Sequence, residues 1–281
     1  MLFENLKKKE LFTENERFIV NYILNHQEDV LEMSIYKLAE ITNSSTSTIV
    51  RMCRKCEVSG FKEFKIYLAR EIERNLEEVS GIDANMPFLP EDTDLIISQK
   101  IACLTKETIE STQKLLTTKK LNETIKLITK ANRIYGIGVS NSFIRLLDFQ
   151  CKMVKIKKYV ELIHFQSEQY HLAQTASTGD VAIIVSYSGE TAEIVNDARI
   201  FQRRGAKVIA ITGNIESSLA KCSEIILRLP NNEESNYKVS NFSSHLAIEY
   251  VLNVIYSCIF NRNFIKNYEC QNHTPTTRLY F

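Results

Sequence analysis

The stretch Val181-Ala182-Ile183-Ile184-Val185-Ser186-Tyr187-Ser188-Gly189-Glu190-Thr191 decides how this chain reads. Its first five residues are apolar, four of them Val or Ile, and predict a strand buried on both faces. A hydroxyl-rich loop with one Gly follows. Then a helical pattern begins, with Ile194, Val195, Ala198 and Phe201 on one face. A buried strand, a Ser/Thr/Gly turn and a helix N-terminus suit a phosphate. The N–H groups of the first helical turn and the positive end of the dipole meet the anion. Ser186, Ser188 and Thr191 add hydroxyl donors. The same residues also fit an ordinary turn in which Ser188 caps the helix and Thr191 sits three places on. The local pattern leaves both readings open.

Around this stretch, strands and helices alternate. Strands are predicted at Arg133–Ile137, Lys158–Leu162, Asp180–Ser186, Lys207–Thr212 and Glu224–Leu229. Helices are predicted near 141–154, 167–176, 189–204, 216–222 and 243–260. The expected fold is a five-stranded parallel, flavodoxin-like sheet flanked by helices. Such sheets bind ligands at the carboxyl ends of their strands, near the switch point. A second strand end there is Gly136-Ile137-Gly138-Val139-Ser140-Asn141-Ser142. It lacks the third Gly of a dinucleotide fingerprint and the acidic residue that should end the next strand. A nicotinamide cofactor is therefore not expected, and with no Walker A motif neither is an NTPase. A third candidate is the loop Pro230-Asn231-Asn232-Glu233-Glu234-Ser235, whose carboxylates suit sugar hydroxyls or proton transfer. Read blandly, it is a solvated acidic loop, and His245 on the last helix is a structural side chain.

Residues 13–76 carry helical periodicity with no strand. Thr13 and Glu16 form a capping-box pattern before the apolar face of Phe18, Ile19, Tyr22 and Ile23. Ser34 caps a short helix with Ile35, Leu38, Ala39 and Ile41. After Thr42-Asn43-Ser44, Ser45 caps the next, Thr46 to Cys56. Two short helices joined by such a turn predict a helix-turn-helix. Ala39 falls where the helices cross, Asn43 where the turn needs a positive φ, and Ile49 at the buried anchor. Ile49, Met52, Cys53 and Cys56 face inward. Ser45, Thr46, Ser47, Arg51, Arg54 and Lys55 are left as the candidate DNA-binding residues, with Lys62 and Lys65 extending the patch. A small helical bundle with a solvated basic face is the bland alternative. The lone Cys53/Cys56 pair lies on the buried stripe, with no second pair or His partner nearby, so no metal site is expected.

A formal net charge of +1 over 281 residues points to neither nucleic acid nor membrane, so any such partner must be read from a local patch. No apolar run approaches the about 20 residues of a membrane span. Seven scattered Cys without a signal-peptide pattern read as reduced thiols, which makes a cytoplasmic protein the expectation. Gly81, Asp83, Asn85, Pro87 and Pro90 cluster at the best boundary. The expected organisation is a helix-turn-helix domain over 1–77, a linker over 78–92, an α/β domain over 93–265 and a tail over 266–281. Helices are predicted over Asp94–Leu116 and Lys119–Thr129.

Taken together, Ser45 to Lys55, Ser59 to Lys65, Ser186 to Thr191, Gly205 to Thr212 and Pro230 to Ser235 resemble the RpiR family of transcriptional regulators. That family joins an N-terminal helix-turn-helix to a C-terminal SIS (sugar isomerase) domain. The resemblance runs from about Leu11 to Phe260. It implies a non-enzymatic regulator of sugar uptake or breakdown genes, with operator DNA and a sugar phosphate as partners and no cofactor. It places Ser140, Ser186, Ser188, Thr191 and Glu233 or Glu234 at the phosphosugar site. A homodimer or homotetramer is expected. Two positions depart from the family pattern: Glu57 stands where Gly is common and His245 where Arg is common. The alternative is a sugar-phosphate isomerase or related SIS enzyme with an accessory helical domain.

Overall fold

The structure, a computed structural model, describes residues 2–78, 80–234 and 237–272. Ser235 and the expected tail beyond residue 272 lie outside the described residues. The chain divides into two units, Met1–Ser80 and Gly81–Phe281. Among the described residues, no helix is long and apolar enough to cross a membrane.

The first unit is helical: α1 Leu2–Lys7, a 3-10 turn Lys9–Leu11, α2 Glu14–Asn25, α3 Gln27–Glu32, α4 Ile35–Ile41, α5 Thr46–Lys55 and α6 Phe61–Glu78. Ser34 and Ser45 cap α4 and α5 as expected; each Oγ accepts a backbone N–H at 3.1 Å, from Lys37 and Thr48 respectively. Both helices end alike. Asn43 takes φ 45° and Glu57 φ 65°. Ser44 N–H then closes on Ala39 O at 2.9 Å, and Val58 N–H on Cys53 O at 3.1 Å. These are left-handed Schellman ends, which usually carry Gly. Glu57 therefore keeps the geometry a Gly would give, and its side chain bears the steric cost. Ile19, Ile23, Leu38, Ile49, Met52, Cys53, Phe64 and Leu68 form the fully buried core. Burial pushes the Cys53 thiol up to about 12 and the Cys56 thiol up to about 11.

One carboxylate joins α2 to α5. Glu16 is fully buried. It accepts Thr13 N–H at 2.9 Å, Thr13 O–H at 3.0 Å, Arg51 Nε at 2.9 Å and Lys55 Nζ at 2.6 Å. Burial alone would raise its pKa, but the hydrogen bonds from Lys55, Thr13 and Arg51 prevail and hold it at about 2.

The second unit adds α7 Asp94–Leu115, α8 Thr118–Lys130, β1 Ile134–Gly138, α9 Ser140–Val154, β2 Val160–Glu161, α10 Gln166–Gln174, β3 Val181–Val185, α11 Ala192–Arg203, β4 Lys207–Thr212, α12 Ser218–Lys221, β5 Ile225–Arg228, α13 Phe242–Arg262 and α14 Phe264–Asn272. The sheet order is β2-β1-β3-β4-β5, all parallel. Alternate residues of the strands feed two cores. Ile134, Val181, Ile183, Val185, Ile209 and Ile211 pack with residues of α8, α9 and α13. Tyr135, Ile137, Ala182, Ile184, Val208 and Ala210 pack with residues of α10, α11 and α12. All five β3 residues are buried, as the run of Val and Ile predicts.

Some elements differ from expectation. α11 starts at Ala192, not 189: Gly189 takes φ 69° in the loop, and Thr191 is the N-cap. β2 shrinks to two residues at the sheet edge. α14 runs across the expected start of the tail at 266. The Gly/Pro-rich segment over 81–92 is fastened to the second unit. Asn85 accepts Glu234 N–H through its Oδ1 at 2.7 Å and Val239 N–H through its carbonyl at 2.9 Å, while Ala84 is buried.

Replacing Glu57 with Gly removes a side chain from a left-handed position, and should stabilise the first unit by about 1 kcal/mol. The midpoint of urea unfolding, followed by circular dichroism, checks this. Glu16 makes a second test. Its pKa is lowered on folding from 4.5 to about 2, so its stabilisation is complete above pH 4.5 and lost as pH falls toward 2. The difference in melting temperature between the wild type and Glu16→Gln should therefore shrink across that window and hold steady above it.

Candidate functional site

The carboxyl ends of β1 and β3 lie side by side, with Gly138 paired to Val185. This is the switch point of the sheet, where neighbouring strands send their connections in opposite directions. A cleft of about 550 Å³ opens there. One wall is the loop after β3. Ser186 Oγ accepts Gly189 N–H at 3.2 Å and lies 3.4 Å from Thr191 Oγ1. Ser188 Oγ accepts Glu190 N–H at 3.3 Å. Thr191, not Ser188, is the N-cap of α11, and its side chain makes no capping bond. The capped-turn reading of Ser188 is therefore replaced by a loop whose hydroxyls gather ahead of the helix. Gly189 is required there: a Cβ would stand 2.2 Å from Ser217 Oγ.

The opposite wall is the loop after β5. Tyr187 ties the two loops. Its O–H donates to Pro230 O at 2.9 Å and accepts Asn232 N–H and Glu233 N–H, both at 3.1 Å. Burial pushes the Tyr187 phenol up. Glu233 has a fully buried side chain. It accepts Ser244 N–H and Ser244 O–H at 2.7 Å each, and Lys238 Nζ at 3.1 Å. Lys238 also lies over the Tyr187 ring at 5.8 Å. His245 lines the cleft, and burial followed by the Arg145 charge pushes its pKa down. The cleft thus offers hydroxyls, the Lys238 ammonium, a helix N-terminus and an imidazole pushed toward its neutral form. Its buried carboxylate is already committed to three donors.

Of the expected ligand residues, the structure brings Ser186, Ser188, Thr191 and Glu233 together around this cleft. Ser140 and Glu234 do not line it. Ser140 opens α9 at φ 52° and is exposed, while Val139 and Ser142 take the lining positions beside it. Glu234 is exposed, with its N–H on Asn85. The sequence reading missed Tyr187, Lys238, Asn214, Asn231 and Ser244. Tyr187 stood inside the quoted stretch and carried a usable signal. Lys238 and Ser244 reach the cleft only through the course of the β5–α13 connection.

In the first unit, Thr46, Ser47, Val50, Arg51 and Arg54 line a concave surface on α5. Ser45 caps α5 and also bonds Thr48 Oγ1 at 2.9 Å. Arg51 and Lys55 are not a plain basic face, since both reach Glu16. Lys65 does not extend the patch either; its Nζ donates to Leu31 O at 2.8 Å and Met33 O at 3.1 Å, at the carbonyl end of α3. Lys62 and Arg54 are exposed.

The model for the helix-turn-helix domain, rpiR family, matches residues 3–75. The SIS domain model matches residues 127–256. A Haemophilus influenzae protein named as an HTH-type transcriptional regulator is 28% identical over 247 residues, covering 88% of this chain and 85% of the relative. The HTH-type transcriptional regulator HexR of Pseudomonas aeruginosa is 29% identical over 221 residues, covering 79% of this chain and 75% of the relative. The Vibrio vulnificus NanR protein, solved in complex with ManNAc-6P, has a TM-score of 0.59 at 23% identity, covering 97% of this chain and 96% of that one. That last likeness is one of fold. The chain belongs to the RpiR family of helix-turn-helix transcriptional regulators and carries a SIS domain.

Proposed function

We propose that the SIS unit senses a sugar phosphate in the β1/β3 cleft, and that its occupancy changes the affinity of the helix-turn-helix unit for operator DNA. The target genes would serve uptake or breakdown of that sugar. The observation carrying this reading is the convergence of Ser186, Ser188 and Thr191 at the N-terminus of α11, with Lys238 across the cleft. Hydroxyl and backbone donors at a helix N-terminus suit a phosphate dianion, and Lys238 adds charge. Glu233 already accepts three donors, which leaves one lone-pair site of its carboxylate for a sugar hydroxyl. NanR, solved with ManNAc-6P, supports the ligand class. Coupling would follow from linkage: a ligand that favours one arrangement of the protein shifts DNA affinity by its differential binding free energy. A homodimer or homotetramer would present paired recognition helices to a palindromic operator, and such a regulator would act in the cytoplasm.

The isomerase reading needs a matched acid and base. Glu233 is instead held by Lys238 and Ser244, and His245 is pushed toward its neutral form. An accessory domain with a capped recognition helix also has no role in isomerisation.

A thermal-shift screen against sugar phosphates and their unphosphorylated sugars tests the sensing. At least one phosphorylated compound should raise the melting temperature while its parent sugar does not; no shift with any phosphosugar overturns the reading. Ser188→Ala should then weaken that ligand about tenfold by removing one hydrogen bond to a charged group. In gel shifts with DNA from upstream of the protein's own gene, the same ligand should change wild-type affinity. Turnover of the ligand together with sequence-independent DNA binding would favour the enzyme instead.

A further inference from the structure

Helix α5 carries three cations, Arg51, Arg54 and Lys55, on or beside the surface that would face DNA. Two of them are spoken for. Arg51 Nε and Lys55 Nζ, one helical turn apart, converge on the two oxygens of Glu16 from α2. The carboxylate is fully buried, while the Arg51 side chain is 61% exposed. Thr13 holds the same carboxylate from the start of α2, so its position is fixed by its own helix before the cations arrive. With its Nε–H engaged, Arg51 has one direction in which to present the far edge of its guanidinium. A guanidinium held that way can read a guanine edge, whereas a swinging one finds any phosphate.

We infer that Glu16 is a positioning residue that sets sequence discrimination: it fixes Arg51 for base reading and withdraws Lys55 from sequence-independent phosphate contact. This rests on the reading of α5 as the DNA-facing helix. Sequence-independent affinity grows with each cation that displaces a counterion from a phosphate, and salt dependence grows with it. Glu16 lowers that count at α5, so more of the remaining affinity comes from base contacts.

The experiment uses the full chain. A duplex is first selected by the wild-type protein from a random pool, then affinities for it and for a scrambled duplex are measured between 50 and 200 mM salt, the range over which phosphate contacts respond strongly. In Glu16→Gln, affinity for scrambled DNA should rise and its salt dependence steepen by about two counterions, one for each cation released. Preference for the selected duplex should fall about tenfold. Adding Lys55→Gln to that variant should take back about one of those counterions and lower scrambled-DNA affinity accordingly. A merely structural role would instead weaken both duplexes in parallel, with no added counterion for the second change to take back, and would overturn the inference. If Glu16→Gln fails to fold, two single variants decide. Lys55→Gln should leave the salt dependence on scrambled DNA unchanged, while Arg54→Gln lowers it by about one counterion. Equal lowering in both would overturn the inference. Failure of the wild type to enrich any sequence would instead count against the DNA-reading assignment itself.

Discussion

β3 meets water on neither face, and the rest of the second unit is placed by that constraint. A strand buried on both sides must have neighbours left and right and helices above and below. β1 and β4 supply the first, and α9, α13 and α11 supply the second. Because connections in such sheets are right-handed, wrapping both faces forces the chain to reverse direction at one point. That reversal falls between β1 and β3, so the connections leaving their paired carboxyl ends diverge and leave the cleft. The site is therefore a by-product of burying Val181 to Val185, furnished afterwards with hydroxyls.

Each unit contains a fully buried carboxylate, and the two solve the same problem. A buried charge without partners is too costly to keep. Glu16 and Glu233 each accept an N–H, a hydroxyl and a lysine ammonium, and Glu16 takes Arg51 as well. In the first unit the carboxylate joins elements far apart in sequence, α2 to α5, and in the second it ties the β5–α13 loop to the start of the helix that follows. Buried ion clusters of this kind favour one arrangement over its near neighbours, because a shift of either partner strands a charge.

The layout was legible in the sequence where a period or a cap spoke for it. The alternation of strands and helices, the capped pair of helices and the positive φ at Asn43 all follow from local patterns. What was not legible came from contacts across the chain. Nothing in Arg51-Met52-Cys53-Arg54-Lys55 announces that its first and last residues turn back to Glu16, 35 and 39 positions away. Lys65 looked like part of a basic face because its carbonyl partners lie on another helix. Gly81 to Asp92 looked like a loose connection because composition cannot see Asn85 satisfying the backbone of a loop 149 positions on. The start of α11 was misplaced because a Gly in a hydroxyl-rich run gives no sign of which way its φ will turn.

The inner stripe of α5 has a chemical corollary. With burial pushing both thiols up, Cys53 and Cys56 present little thiolate at neutral pH. Thiolate is the form that alkylating reagents and peroxides attack, so burial protects the Cys-x-x-Cys of α5 from both. Cys151, on the surface of α9, is exposed. A maleimide probe should therefore find the SIS unit first, giving the native chain a spectroscopic handle that leaves α5 untouched.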